Sequence, residues 1–136
     1  MWMVKPATSL AVLSALAVLF SACRHPGDAK LAGTWVLDSV RPDGVTFHSV
    51  LKVSPDGRHS CHTSAYTNST LAFTVLTEGT LQIKDGYLIE TVTKRNEHPV
   101  SVPRTDRARI ITIDKRKMVV RNDTNAVEVV WSKEQK

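Results

Sequence analysis

The chain lacks most of what would announce a chemistry. Of its 136 residues only 6% are aromatic, and there are two cysteines and six glycines. With so few aromatics the domain has few large anchors, and its core must come mostly from aliphatic side chains. Two cysteines cannot make the disulfide framework that staples many small secreted domains. No stretch keeps a helical period over three turns. After Cys23 no apolar run approaches the roughly 20 residues that a membrane-spanning helix needs. There is no G-x-S-x-G nucleophile elbow, no pair of carboxylates in a recognisable frame and no glycine-rich phosphate loop. Nothing marks a nucleophile among the Ser, His and acidic residues. The expectation is a protein that is not an enzyme and carries no cofactor.

What is present begins with an address. Lys5 puts a positive charge near the start, and no acidic residue precedes Asp28. From Ala7 to Ala22 the chain is apolar or small, and Ser21-Ala22 stand directly before Cys23. A charged start, an apolar run and a small-residue cleavage site make a secretory signal. Leu19-Phe20-Ser21-Ala22-Cys23 resembles the lipobox of bacterial lipoproteins, with Phe20 where an aliphatic residue is usual. That resemblance implies cleavage before Cys23, a diacylglyceryl thioether on its sulfur and a third acyl chain on the new amino terminus. Two or more acyl chains hold a protein stably on a bilayer where one does not. Arg24 follows where inner-membrane lipoproteins often carry Asp, which implies the outer membrane, facing the periplasm, in a cell that has one. If Cys23 carries lipid, Cys61 is alone in an oxidising compartment. If it does not, a Cys23–Cys61 disulfide stays open.

Residues 1–22 thus read as a signal-peptide helix, 23–30 as the lipidated cysteine and a polar tether, and 31–133 as one domain. Removing the signal leaves about 110 residues, enough for one core. The chain has 18 Lys and Arg against 13 Asp and Glu, and only Lys5 falls in the signal, so the domain is mildly basic. That suits a neighbourhood of anionic headgroups or cell-wall polymers. It is far too little for a nucleic-acid partner, which export also argues against.

The domain alternates with period 2. Trp35 and Leu37 share a side. Val45, Phe47, Leu51 and Val53 share a parity, and so do His59, Cys61, Thr63 and Ala65. Leu71, Phe73 and Val75 continue the pattern, Leu81 and Ile83 resume it, and Arg109, Ile111 and Ile113 alternate, as do Val127, Val129 and Trp131. Between these runs fall turn signals: Pro42-Asp43-Gly44, Pro55-Asp56-Gly57, Asn68-Ser69, Asp85-Gly86 and Lys115-Arg116-Lys117. Glu78-Gly79 reads as a kink or bulge, and Asn96–Asp106, with two prolines, as a loop. The fold class is therefore all-β: an up-and-down antiparallel meander of about eight strands closing on itself into a barrel, which leaves no exposed edges.

Leu31-Ala32-Gly33-Thr34-Trp35 resembles the L-x-G-x-W opening of lipocalin-like domains. Ser54-Pro55-Asp56-Gly57, Glu78-Gly79-Thr80, Ile83 to Leu88 and Val129-Val130-Trp131 follow in the order of that family's later motifs. Lys133 comes one position late for the closing basic residue, and Leu81 stands where many relatives carry Trp. The likeness spans 31–133 and is similar to the small bacterial lipocalin-like lipoproteins. It implies that Gly33 lets the chain enter the barrel, that Trp35 plugs its closed end, and that an Arg on a late strand, Arg109 or Arg121, packs over Trp35.

An eight-stranded barrel is wide enough to be filled by side chains or to hold one small ligand. The inward parity makes Val45, Phe47, Leu51, Phe73, Val75 and Ile111 the expected ligand-lining residues. Two functions follow: a lipid-anchored envelope protein that holds a small apolar ligand, or a filled, non-catalytic module that docks an envelope protein through Asn96–Asp106 and the basic residues. His59-Ser60-Cys61-His62 with His48 has metal-ligating side chains, but alternation points His59 and Cys61 one way and His62 the other, so no metal is expected. The basic second half, Lys94 to Arg121, reads as a solvated surface.

Overall fold

A computed structural model describes residues 28–135. The signal stretch and Cys23 lie outside the described residues. Eight strands follow one another: β1 Gly33–Val40, β2 Thr46–Val53, β3 Arg58–Thr67, β4 Thr70–Lys84, β5 Tyr87–Arg95, β6 His98–Ile113, β7 Lys117–Arg121 and β8 Glu128–Lys133. Each pairs antiparallel with its neighbour in sequence, and β8 returns to β1 to close a barrel.

The turns follow from their residues. β3–β4, β4–β5 and β5–β6 are two-residue hairpins through Asn68-Ser69, Asp85-Gly86 and Asn96-Glu97, all with positive φ. That is the geometry whose twist matches the flanking strands. At Asp114 the carboxylate accepts the backbone N–H of Arg116 and of Lys117 at 2.7 and 2.9 Å, which holds its pKa below the ordinary value.

One expected loop is a strand. Asn96–Asp106 is mostly β6, which begins at His98. Its prolines are tolerated because β7 pairs with β6 only from Arg109 onward, leaving the first half of β6 bonded on one side alone. The register also slips between Val92 and Lys94, opposite Arg104 and Pro99. The intervening segment bulges outward there, carrying Pro103 and Val102, which is 76% exposed.

The barrel has one sealed end. Leu31, Trp35 and Met118 are fully buried there. The chain enters through a turn in which the Leu31 N–H reaches the Asp28 carbonyl at 3.0 Å. The Trp35 indole N–H donates to the Leu31 carbonyl at 2.8 Å, so a buried donor is satisfied by the turn that covers it. Pairing then sets the inward face: Trp35 lies opposite Leu51, Leu51 opposite Cys61, and Val53 opposite His59.

The sequence suggests a bulge at Glu78-Gly79; a bulge does fall there, but its extra residue is Thr93 on the facing strand β5. A side chain on Gly79 would overlap the backbone carbonyl of Thr91, so the bulged β5 lies this close to β4 only because the residue is glycine. Gly79→Ala is expected to destabilise the barrel by about 2 kcal/mol. Gly44→Ala meets no atom within 4 Å and pays only for its positive φ, about 1 kcal/mol. Urea unfolding of both variants checks the order.

Candidate functional site

The end opposite Trp35 is open, and a cavity of about 660 Å³ runs in from it. That lies within the roughly 300–1,000 Å³ usual for small-molecule sites. Leu51, Cys61, Leu81, Leu88 and Trp131 form its inner wall, and Glu90, Arg104 and Asp106 stand above them. Asn122, Asp123 and Thr124, from the β7–β8 turn, reach over one side.

Hairpin register places the polar collar. With Asp85-Gly86 as the turn, Leu81 falls opposite Glu90. Leu81 is an inward core residue, so Glu90 is inward too. Glu90 in turn lies opposite Asp106 on β6. His59 sits below them, its side chain 0% exposed, with Nε2 3.0 Å from Glu90 Oε2. The contact is off the hydrogen-bonding axis, and among the described residues neither ring nitrogen has a hydrogen-bond partner. Glu90 keeps about a third of its side chain exposed. Arg104 Nε pairs with Asp106 at 2.9 Å.

Three further polar groups on the inner face are quietened by their surroundings. Ser49 and Thr63 share a hydrogen bond of 2.8 Å between their hydroxyls. Among the described residues Cys61 has no disulfide partner. Burial pushes its pKa above the ordinary thiol value; the Thr63 hydroxyl opposes this slightly, and the Glu90 charge adds to it.

On the outer surface, Tyr87 gathers a second cluster. Its hydroxyl donates to Asp123 at 3.0 Å and accepts from Arg109 Nη2 at 2.7 Å. The bond from Tyr87 first, and the Arg109 charge with it, hold the Asp123 carboxyl below its usual range. The Arg107 and Arg109 guanidiniums lie 4.6 and 5.0 Å from the Tyr87 ring centre.

The sequence-predicted residues are only partly brought together. Of the expected lining residues Leu51 alone lines this cavity. Val45 belongs to the β1–β2 turn, where its carbonyl accepts the Arg41 N–H. Phe47, Phe73 and Val75 have inward parity but stand near the rim. Phe47 meets Phe73 edge-on, with centroids 6.4 Å apart, and Phe73 remains 51% exposed. Ile111 points outward and is 40% exposed. The cause is a bulge between Ile110 and Thr112, which reverses the parity of β6, so that Ala108, Ile110 and Ile113 pack against the core.

The same reversal corrects Arg109, which faces Tyr87 and Asp123. The cation over Trp35 is Lys133, with Nζ 5.1 Å from the ring. Gly33, at φ +133°, gives its stem room: a side chain there would press on Lys133 Cε. His62 and His48 face outward, His48 pairing with Asp38 at 2.7 Å. Among the described residues no three His, Cys, Asp or Glu side chains gather as a metal site. Sequence reasoning missed Glu90, Asp106 and Trp131 as lining residues. Counting back from the Asp85-Gly86 turn would have found the first.

No family model matches the chain, and no curated protein matches it. Among solved structures, the crystal structure of a lipoprotein, YedD, from Klebsiella pneumoniae subsp. pneumoniae is similar at 13% identity, covering 83% of this chain and 79% of that one, with a TM-score of 0.43. So distant a likeness leaves function to be argued from the chain's own residues.

Two outcomes are expected. Lys133→Met loses about 1 kcal/mol in urea unfolding by removing the cation over Trp35, whereas Arg109→Gln, on the outer surface, changes stability by less than about 0.5 kcal/mol. In a Cys23→Ser chain, a thiol reagent near pH 7.5 labels native Cys61 at least about tenfold more slowly than the urea-unfolded chain, because the buried thiol stays protonated.

Proposed function

We propose that the chain is an exported lipoprotein of the cell envelope, anchored through Cys23, whose lipocalin-like barrel takes up a small amphipathic molecule at its open end. The observation that carries this is the half-filled interior. Aliphatic and indole surface from Leu51, Leu81, Leu88 and Trp131 is left lining a cavity rather than closing over it, and a polar collar stands at the entrance. An apolar wall with a few convergent polar groups is the usual form of a small-molecule site. The signal stretch and the lipobox-like Leu19–Cys23 support the anchor.

The fully apolar ligand suggested by the sequence fits this interior less well. Glu90 and Asp106 would lose water against a purely apolar occupant and gain nothing in return. A molecule with an apolar body and a polar end matches both halves. A second reading keeps the cavity unused and makes the protein a docking module. It is favoured by the β5–β6 hairpin, where the bulge leaves Val102 exposed beside basic residues.

Residues 24–136, purified natively, should carry a small molecule at one per chain in native mass spectrometry and release it on denaturation. The full chain should partition with membranes and incorporate labelled fatty acid, and Cys23→Ser should abolish both. A clean apo mass with a melt that no extract shifts would turn the search to protein partners, and a Cys23→Ser chain that stays membrane-bound would remove the anchor.

A further inference from the structure

The charges of the collar are not evenly available to a ligand. Arg107 and Arg109 are drawn outward onto Tyr87. Asp123 is taken up by Tyr87 and Arg109. Arg104 is 74% exposed and already paired with Asp106. What faces the cavity is the carboxylate of Glu90, directly opposite Asp106 across the β5–β6 ladder. Two like charges in directly opposed cross-strand positions destabilise a sheet, and Arg104 offsets only the Asp106 side of this pair, from solvent.

Below this pair is a second, independent feature. The His59 side chain is completely buried and sits 3.0 Å from Glu90 Oε2, and among the described residues neither ring nitrogen has a hydrogen-bond partner. A buried polar group without a partner is costly, and calls for one. The imidazole thus lies against the same carboxylate that faces the cavity.

We infer that the cavity recognises a protonated amine: a small amphiphile whose ammonium group sits between Glu90 and Asp106, above His59, with its apolar body against Leu51, Leu81, Leu88 and Trp131. An ammonium has three donors, enough to reach both carboxylates and still donate to one more acceptor. Arg104, already mostly in solvent, swings away as the ligand amine replaces it on Asp106. The inference rests on the proposed ligand-binding role and narrows it to one class.

The test uses the full chain in phosphatidylcholine nanodiscs and three matched probes, hexylammonium, hexanoate and hexanol, by isothermal titration calorimetry. Hexylammonium is expected to bind at least about tenfold more tightly than hexanoate, and Glu90→Gln to lose about tenfold of that affinity with a melt no lower than the parent's. Should Glu90→Gln unfold the barrel, Asp106→Asn reads the same contact from the other strand. Equal binding of the probes, tighter binding of hexanoate, or a variant that binds hexylammonium as well as the parent overturns the amine site and leaves an amphiphile-binding barrel standing. Binding of none of the three overturns both.

Discussion

The fold depends on burying Trp35. The barrel closes where β8 meets β1, and that seam has only two register pairs, Trp35 with Lys133 and Val36 with Ser132. So short a ladder supplies few backbone hydrogen bonds. What holds it is the indole behind it, fully buried, with its N–H bonded to the Leu31 carbonyl and Lys133 lying over its ring. Burying a side chain of this size contributes about 1.5–3 kcal/mol or more. The Asp28–Leu31 turn is therefore part of the core, because it supplies both the lid and the acceptor. Gly33 is the hinge that lets the chain pass from that turn into the sheet beneath Lys133.

Once Trp35 is inside, antiparallel register decides every other side chain. Leu51, Cys61 and Leu81 follow it inward, and so do His59 and Glu90 on the same faces. The barrel has thus committed polar groups to its interior in two ways. Ser49 and Thr63 satisfy each other and cost little. His59 and Glu90 come close without a proper hydrogen bond. A lumen meant only to be filled would gain stability by replacing such a pair with aliphatic side chains. Retaining it is a sign that this part of the interior serves something other than stability.

The strand count and most turns were legible in the sequence because they depend on local residues, whereas a plugging role for Trp35 was expected only from the resemblance of Leu31–Trp35 to a family's opening motif. Pro-Asp-Gly, Asp-Gly and Asn-Ser fix turns where they stand, and period 2 survives in any half-buried strand. The site was much less legible, since it depends on offsets between strands. One extra residue at Ile110–Thr112 turned Arg109 and Ile111 outward, and nothing in a run of alternating Arg and Ile announces that slip. Prolines disguised the first half of β6 as a loop, since a strand bonded on one side accepts them. Glu90 was hidden in a stretch, Tyr87 to Val92, that is β-prone on both faces, so its direction comes only from pairing with Leu81.

The direction of the barrel bears on what it could carry. β1 starts at the sealed end, and Cys23 precedes Asp28 by a stretch that spans at most about 18 Å. On the proposed anchoring, the sealed end faces the membrane and the mouth, ringed by the β1–β2, β3–β4, β5–β6 and β7–β8 turns, faces away. A ligand then reaches the cavity from the aqueous side. A long, wholly apolar lipid would have to leave the bilayer and pass around the barrel to do so, losing about 0.8 kcal/mol for each CH₂ taken into water. A short amphiphile with a charged end is already soluble there. The position of the proposed anchor and the charge of the collar rest on separate parts of the chain, and both favour a small, water-soluble, polar-ended occupant.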